Sequence, residues 1–151
     1  MYPTFSLQVV LDYRSSLVEA LEIELAQLMA SLAKAQEVLE NLKENRRQLE
    51  SALRESQLGE LDLVHISHIR LNIDLVDTYI EHQEQEIIKL NQQVEEKRQE
   101  LVKARQDEEA LEILKEKMIE QFQEEMKVKE SRAQDDIYIA GYYQKMLKRA
   151  Q

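Results

Sequence analysis

His65 and His68 stand one helical turn apart, with Asp62 a further turn back. On a helix that spacing puts two imidazoles and a carboxylate on one face, a partial metal-ligand set. A metal site inside a helix bundle also needs a second acidic or imidazole set on the facing helix. That second set is missing, so the histidines read as solvated and no metal is expected. Carboxylates are plentiful, as in Glu95-Glu96 and Asp107-Glu108-Glu109. They fall on what reads as a solvated helix surface, where nothing shifts a pKa or holds a substrate, so they serve solubility and helix pairing. With 2 glycines in the chain, no glycine-rich phosphate loop can be built. No catalytic residue and no cofactor follow from the sequence, and an enzyme is not expected.

The elements that would carry such residues are helical. Alternating steps of four and three from Leu7 to Leu53 pass through Leu11, Val18, Leu21, Leu25, Leu28, Leu32, Ala35, Leu39, Leu42 and Leu49, broken only by Arg14 and Arg46. A 3.5-residue apolar period held this long without proline or glycine is a coiled-coil seam, and a seam requires a partner helix. A second seam runs from Ile66 through Ile69, Ile73, Val76, Ile80, Ile87, Leu90, Val94, Leu101 and Ala104 to Leu111, broken by Gln83, Lys97 and Glu108. Gly59 lies between them, placed as the left-handed residue that ends a helix. Asp62 follows as the N-cap of the next one, with Leu61 and Ile66 spaced as a hydrophobic staple.

Two seams joined by a few residues pair with each other only if the chain doubles back. The expected fold is all-α: a long antiparallel two-helix coiled-coil hairpin with an overhanging C-terminal helix. Residues 1–151 form a single coiled-coil hairpin in this reading, with helix 1 over about 5–58, capped by Thr4 after Pro3, a tip at about 59–62, and helix 2 over about 63–147. One continuous helix dimerising in parallel is the rival. It leaves Gly59 inside a helix at a cost of about 1 kcal/mol and wastes the Asp62 cap.

A tip near residue 60 makes facing residue numbers add to about 120. Arg14 then lies near Glu108, Arg46 near Asp74, and Lys97 near Glu22 or Glu24. Such matches either fix the register or leave long basic side chains to snorkel out of a thin seam. Residue 5 faces about residue 115, so Lys117 to about Leu147 should project as a single helix some 45 Å long. Its apolar spacing drifts to four-residue steps through Leu114, Met118, Phe122 and Met126, which would locally unwind a supercoil. Gly141 should interrupt or fray the end.

The projection carries Phe122, Ile137, Tyr138, Tyr142, Tyr143 and Met146. Unpaired aromatic and apolar side chains on a solvated helix point to an interface. A different protein is the expected partner; a bend of the same chain or a homodimer would also cover them.

Composition narrows the partner class. The net charge is −10 and the one basic cluster is Lys145, Lys148 and Arg149, so no nucleic acid is expected. Disulfides and thiolate sites are excluded, since there is no cysteine. No apolar run reaches the roughly 18 residues of a membrane span, and Met1 to Phe5 lacks the features of a secretory signal. A soluble cytoplasmic chain with no direct membrane insertion, and a monomer when free, is the expectation.

The two ends resemble a known family. From Tyr2 through Phe5, Leu7, Val10-Leu11 to Arg14, an aromatic residue, a leucine, a Val-Leu pair and an arginine recur as in the opening of FliJ-type proteins of the flagellar type III export apparatus. Glu130 to Ala140 looks like the family's closing acidic motif, with Asp135-Asp136 followed by Ile137 and Tyr138. The resemblance implies a stalk-like coiled coil that inserts its paired termini into the hexameric export ATPase. It also implies contact with the membrane-bound export gate nearer the tip, escort of export chaperones, and a peripheral place at the cytoplasmic face of the inner membrane. Carried over, Phe5, Leu7, Leu11, Arg14, Asp135, Asp136 and Tyr138 belong to the ATPase-proximal end, joined by the exposed Phe122, Ile137, Tyr142 and Tyr143. Asn45, Tyr79, His82 and Gln83 are gate-contacting candidates by location near the tip half. A generic tethering coiled coil, or the stalk of a virulence-type secretion system, is the alternative.

Overall fold

The computed structural model describes residues 3–150; Met1, Tyr2 and Gln151, and with Tyr2 the first residue of the opening motif, lie outside them. Two helices make up the fold, α1 at Gln8–Ser56 and α2 at Leu63–Arg149, packed against each other as an antiparallel helical hairpin. Helix α1 begins later than the sequence suggests. Thr4 does not cap it. The Gln8 amide donates to the Phe5 carbonyl at 3.1 Å, closing a tight turn, before the Leu11 amide donates to Leu7 at 2.9 Å and α-helical bonding takes over. Phe5 is buried ahead of the helix.

The tip follows from backbone chemistry. After Ser56 the Gln57 and Leu58 amides donate to carbonyls three residues back, at 3.3 and 3.1 Å. Gly59 then takes φ +80°, the left-handed conformation that costs a side-chain-bearing residue most. Asp62 caps α2: its Oδ1 accepts from the His65 amide at 3.2 Å and its carbonyl from the Ile66 amide at 3.0 Å. Ile66 is buried, but Leu61 stays 60% exposed, so the expected staple does not close.

The chain divides into two compact units, Leu17–Lys103 and the described residues on either side of it. Within Leu17–Lys103, every seam position of α1 from Val18 to Leu53 and of α2 from Ile66 to Leu101 is buried or half-buried. Pairing there is antiparallel: Glu24 meets Lys97, Ala35 meets Gln83, and Arg46 meets Asp77. In the other unit Leu11 and Ala104 are buried, with Arg14, Glu108 and Leu111 half-buried. Leu7, just ahead of the helix, is 40% exposed and does not take up its seam place.

The expected drift beyond Leu111 is not found. Lys115, Met118 and Phe122 are half-buried, whereas Leu114 is 49% exposed and Met126 is exposed too. Steps of four and three from Leu111 give these same three positions, with Ile119 half-buried beside Met118, so the 3.5-residue phase is kept. A half-buried lysine at such a position covers apolar surface with its stem while its charge stays in water. Residues 123–150 are exposed without exception. Gly141 does not interrupt them, because α2 runs through it with an ordinary helical φ.

Candidate protein-interaction surfaces

The residues assigned to the ATPase-proximal end separate by environment. Phe5 and Leu11 are core. Arg14 is half-buried, and its Nη1 donates to Asp107 Oδ2 at 3.4 Å, one residue before the expected Glu108. These three side chains hold the helix pair together. Leu7 offers partial surface.

On α2, Phe122 is half-buried, while Asp135, Asp136, Ile137, Tyr138, Tyr142 and Tyr143 are all exposed. Tyr138 is 77%, Tyr142 58% and Tyr143 65% exposed. Phe122 and Asp135 are 13 positions apart on one continuous helix, about 20 Å at 1.5 Å per residue. Phe122 is thus set apart along α2 from the acidic-aromatic group. Ile139, inside the closing motif, and Leu147, beyond it, are further open apolar positions on this stretch to which the family resemblance assigned no role. The signal for Ile139 is the seam phase itself.

Within Leu17–Lys103, Asn45, Tyr79 and His82 are exposed, with Tyr79 and His82 one turn apart on α2. Gln83 is half-buried and turned inward, its Nε2 donating to the Ala35 carbonyl at 3.0 Å. A side chain held this way serves the pair before it serves a partner. Leu58, Leu61, Leu63 and Val64 add an exposed apolar group around the tip.

Charged breaks in the seam are met by acids. Arg46 is held by Asp77 through Nε and Nη2 and by Glu50 one turn on; the expected partner was Asp74. The Asp77 hydrogen bond, then the Asp77 and Glu50 charges, raise the Arg46 guanidinium above its ordinary pKa. Lys97 Nζ donates to Glu24 Oε2 at 2.8 Å and to Glu100 Oε2 at 3.2 Å. Those two hydrogen bonds, Glu24 first, raise its pKa. Every one of these groups keeps contact with water, and no polar or charged residue among the described ones is buried. They set register more than stability.

Among the described residues no three His, Asp or Glu side chains gather as metal ligands, and no helix is long and apolar enough to cross a membrane. What the surface offers is exposed aromatic and apolar side chains at the end of α2 and around the tip. Compared with known families, residues 3–147 match the model described as flagellar FliJ protein. The chain belongs to the FliJ family. As a FliJ-family chain it is a structural component of flagellar type III export. No curated protein and no solved structure matches it.

Proposed function

We propose that this FliJ-family protein is the non-enzymatic, stalk-like part of the flagellar export apparatus that binds the hexameric export ATPase and links it to the export gate and the export chaperones. The observation that carries the reading is the open end of α2, where residues 123–150 are exposed and Tyr138, Tyr142 and Tyr143 stand on a continuous helix. Rigid aromatic side chains bury large area at small entropic cost, which makes them effective interface anchors. Asp135 and Asp136 add negative charge that a basic ring lining would complement. Asn45, Tyr79 and His82 are the gate-facing surface in this reading. Protein contacts of this kind hold the chain at the cytoplasmic face of the inner membrane.

Hydrolysis by the cognate export ATPase tests it. The full chain, at substoichiometric amounts, should promote ring assembly or raise the hydrolysis rate. A variant with Tyr138, Tyr142 and Tyr143 changed to Ala should lose that effect while keeping the helicity of the parent. No effect of the intact chain on either ring assembly or the hydrolysis rate overturns the proposal.

A further inference from the structure

The seam phase of α2 carries on past the last half-buried residue. Continued from Phe122 in steps of three and four, it meets four charged positions, Glu125, Lys129, Arg132 and Asp136. It then reaches Ile139, Tyr143 and Met146, each more than half exposed. Tyr142 flanks them on the same side. An apolar seam restored in phase, with nothing covering it among the described residues, is one half of a helix pair.

Charge order identifies the other half. Asp135 and Asp136 lie at the N-terminal side of this apolar centre, Lys148 and Arg149 at its C-terminal side. A second copy of the same stretch laid parallel sets acid against acid and base against base. Laid antiparallel, it sets acid against base at both ends. With a two-fold axis beside Tyr142, Ile139 packs on Tyr143 of the second copy, Tyr142 meets its counterpart, and Asp135 faces Arg149 at each end. Pairing of this isologous kind needs one self-complementary patch, and this stretch has acid, apolar centre and base in that sequence.

We infer that residues 135–149 form an antiparallel, two-fold symmetric interface with a second copy of this chain. One helix face of this length is a small patch, at the low end for specific association, so the pair is reversible. The inference does not rest on the ATPase reading. Both use Tyr142 and Tyr143, so self-pairing and ring binding exclude each other, and the chain measured without the ATPase reads the pairing alone.

Sedimentation equilibrium of the full chain from roughly 1 µM to 1 mM tests it. The mass should rise from 17.9 kDa toward that of a dimer. Asp135→Arg alone and Arg149→Asp alone should each weaken pairing about tenfold, by setting like charges opposite one another. The double reversal should restore it. In a parallel pair the single reversals would change little, since the same residue already faces itself there. All these sites are exposed, so far-UV circular dichroism should be unchanged in each variant. A chain that stays monomeric throughout, single reversals without effect, or a double reversal that fails to rescue overturns the inference.

Discussion

Lys97 of α2 reaches across the helix pair to Glu24 of α1, Nζ to Oε2 at 2.8 Å, and holds Glu100 of its own helix at 3.2 Å. Lys97 is a seam position, and the contact works only in the antiparallel register. Lys97→Glu should lower the thermal midpoint slightly, on the order of 2 °C, as expected for an ion pair open to solvent. Combined with Glu24→Lys, much of the loss should return. Thermal unfolding of the four species checks it; a double variant no better than the single would mean that the pair does not couple the helices.

The same lysine gives a pH dependence. Its hydrogen bonds raise the folded-state pKa above the ordinary lysine value of 10.5. A raised pKa means that the contribution is fully present below the unfolded value and disappears as pH climbs through the folded one. Stability should therefore fall on the alkaline side, above about pH 10.5, and more steeply in the wild type than in Lys97→Met. Lys97→Arg, whose charge persists through that range, should reduce this part of the fall. Thermal midpoints at about pH 9 and about pH 11.5 for the three proteins decide the matter.

The two glycines should respond in opposite directions to alanine. Gly59 sits at φ +80° with nothing within 4 Å of an added Cβ, so Gly59→Ala meets backbone strain without a clash and should cost about 1 kcal/mol in urea unfolding. Gly141 also has nothing within 4 Å of an added Cβ, but it lies inside α2. Gly141→Ala should gain about 1 kcal/mol of local helix propensity. That gain belongs in amide exchange around residue 141, since an exposed helix end adds little to global unfolding.

The hairpin was legible in the sequence because a two-helix seam has little else to encode: the apolar period gave both helices, and Gly59 with Asp62 gave the turn. Residue-level pairing was harder to read. Facing numbers point to seam residues, but an arginine at a seam position leans its guanidinium toward a flank. Arg14 thus takes Asp107, beside the seam residue Glu108, and Arg46 takes Asp77, beside Val76. Gln83 found a backbone carbonyl, an acceptor that no side-chain pattern announces. The opening and closing motifs located the candidate ends of the molecule, yet they did not separate Phe5 and Leu11, which are core, from the exposed Tyr138 and Tyr143.

The phase of α2 beyond the predicted seam can be tested with two leucines. Leu101 is on the seam and 5% exposed; Leu114 is off it and 49% exposed. Truncating a buried leucine removes its transfer free energy and leaves a cavity, so Leu101→Ala should cost about 2 to 4 kcal/mol in urea unfolding. A half-open leucine has less to lose, and Leu114→Ala should cost under about 1 kcal/mol. The four-residue spacing through Leu114, Met118, Phe122 and Met126 makes the reverse demand, that Leu114 anchor the helix as firmly as Leu101. Equal destabilisation by the two substitutions would mean that the supercoil unwinds near residue 114. A severalfold difference would mean that the heptad phase continues past Leu111 on Lys115, Met118 and Phe122.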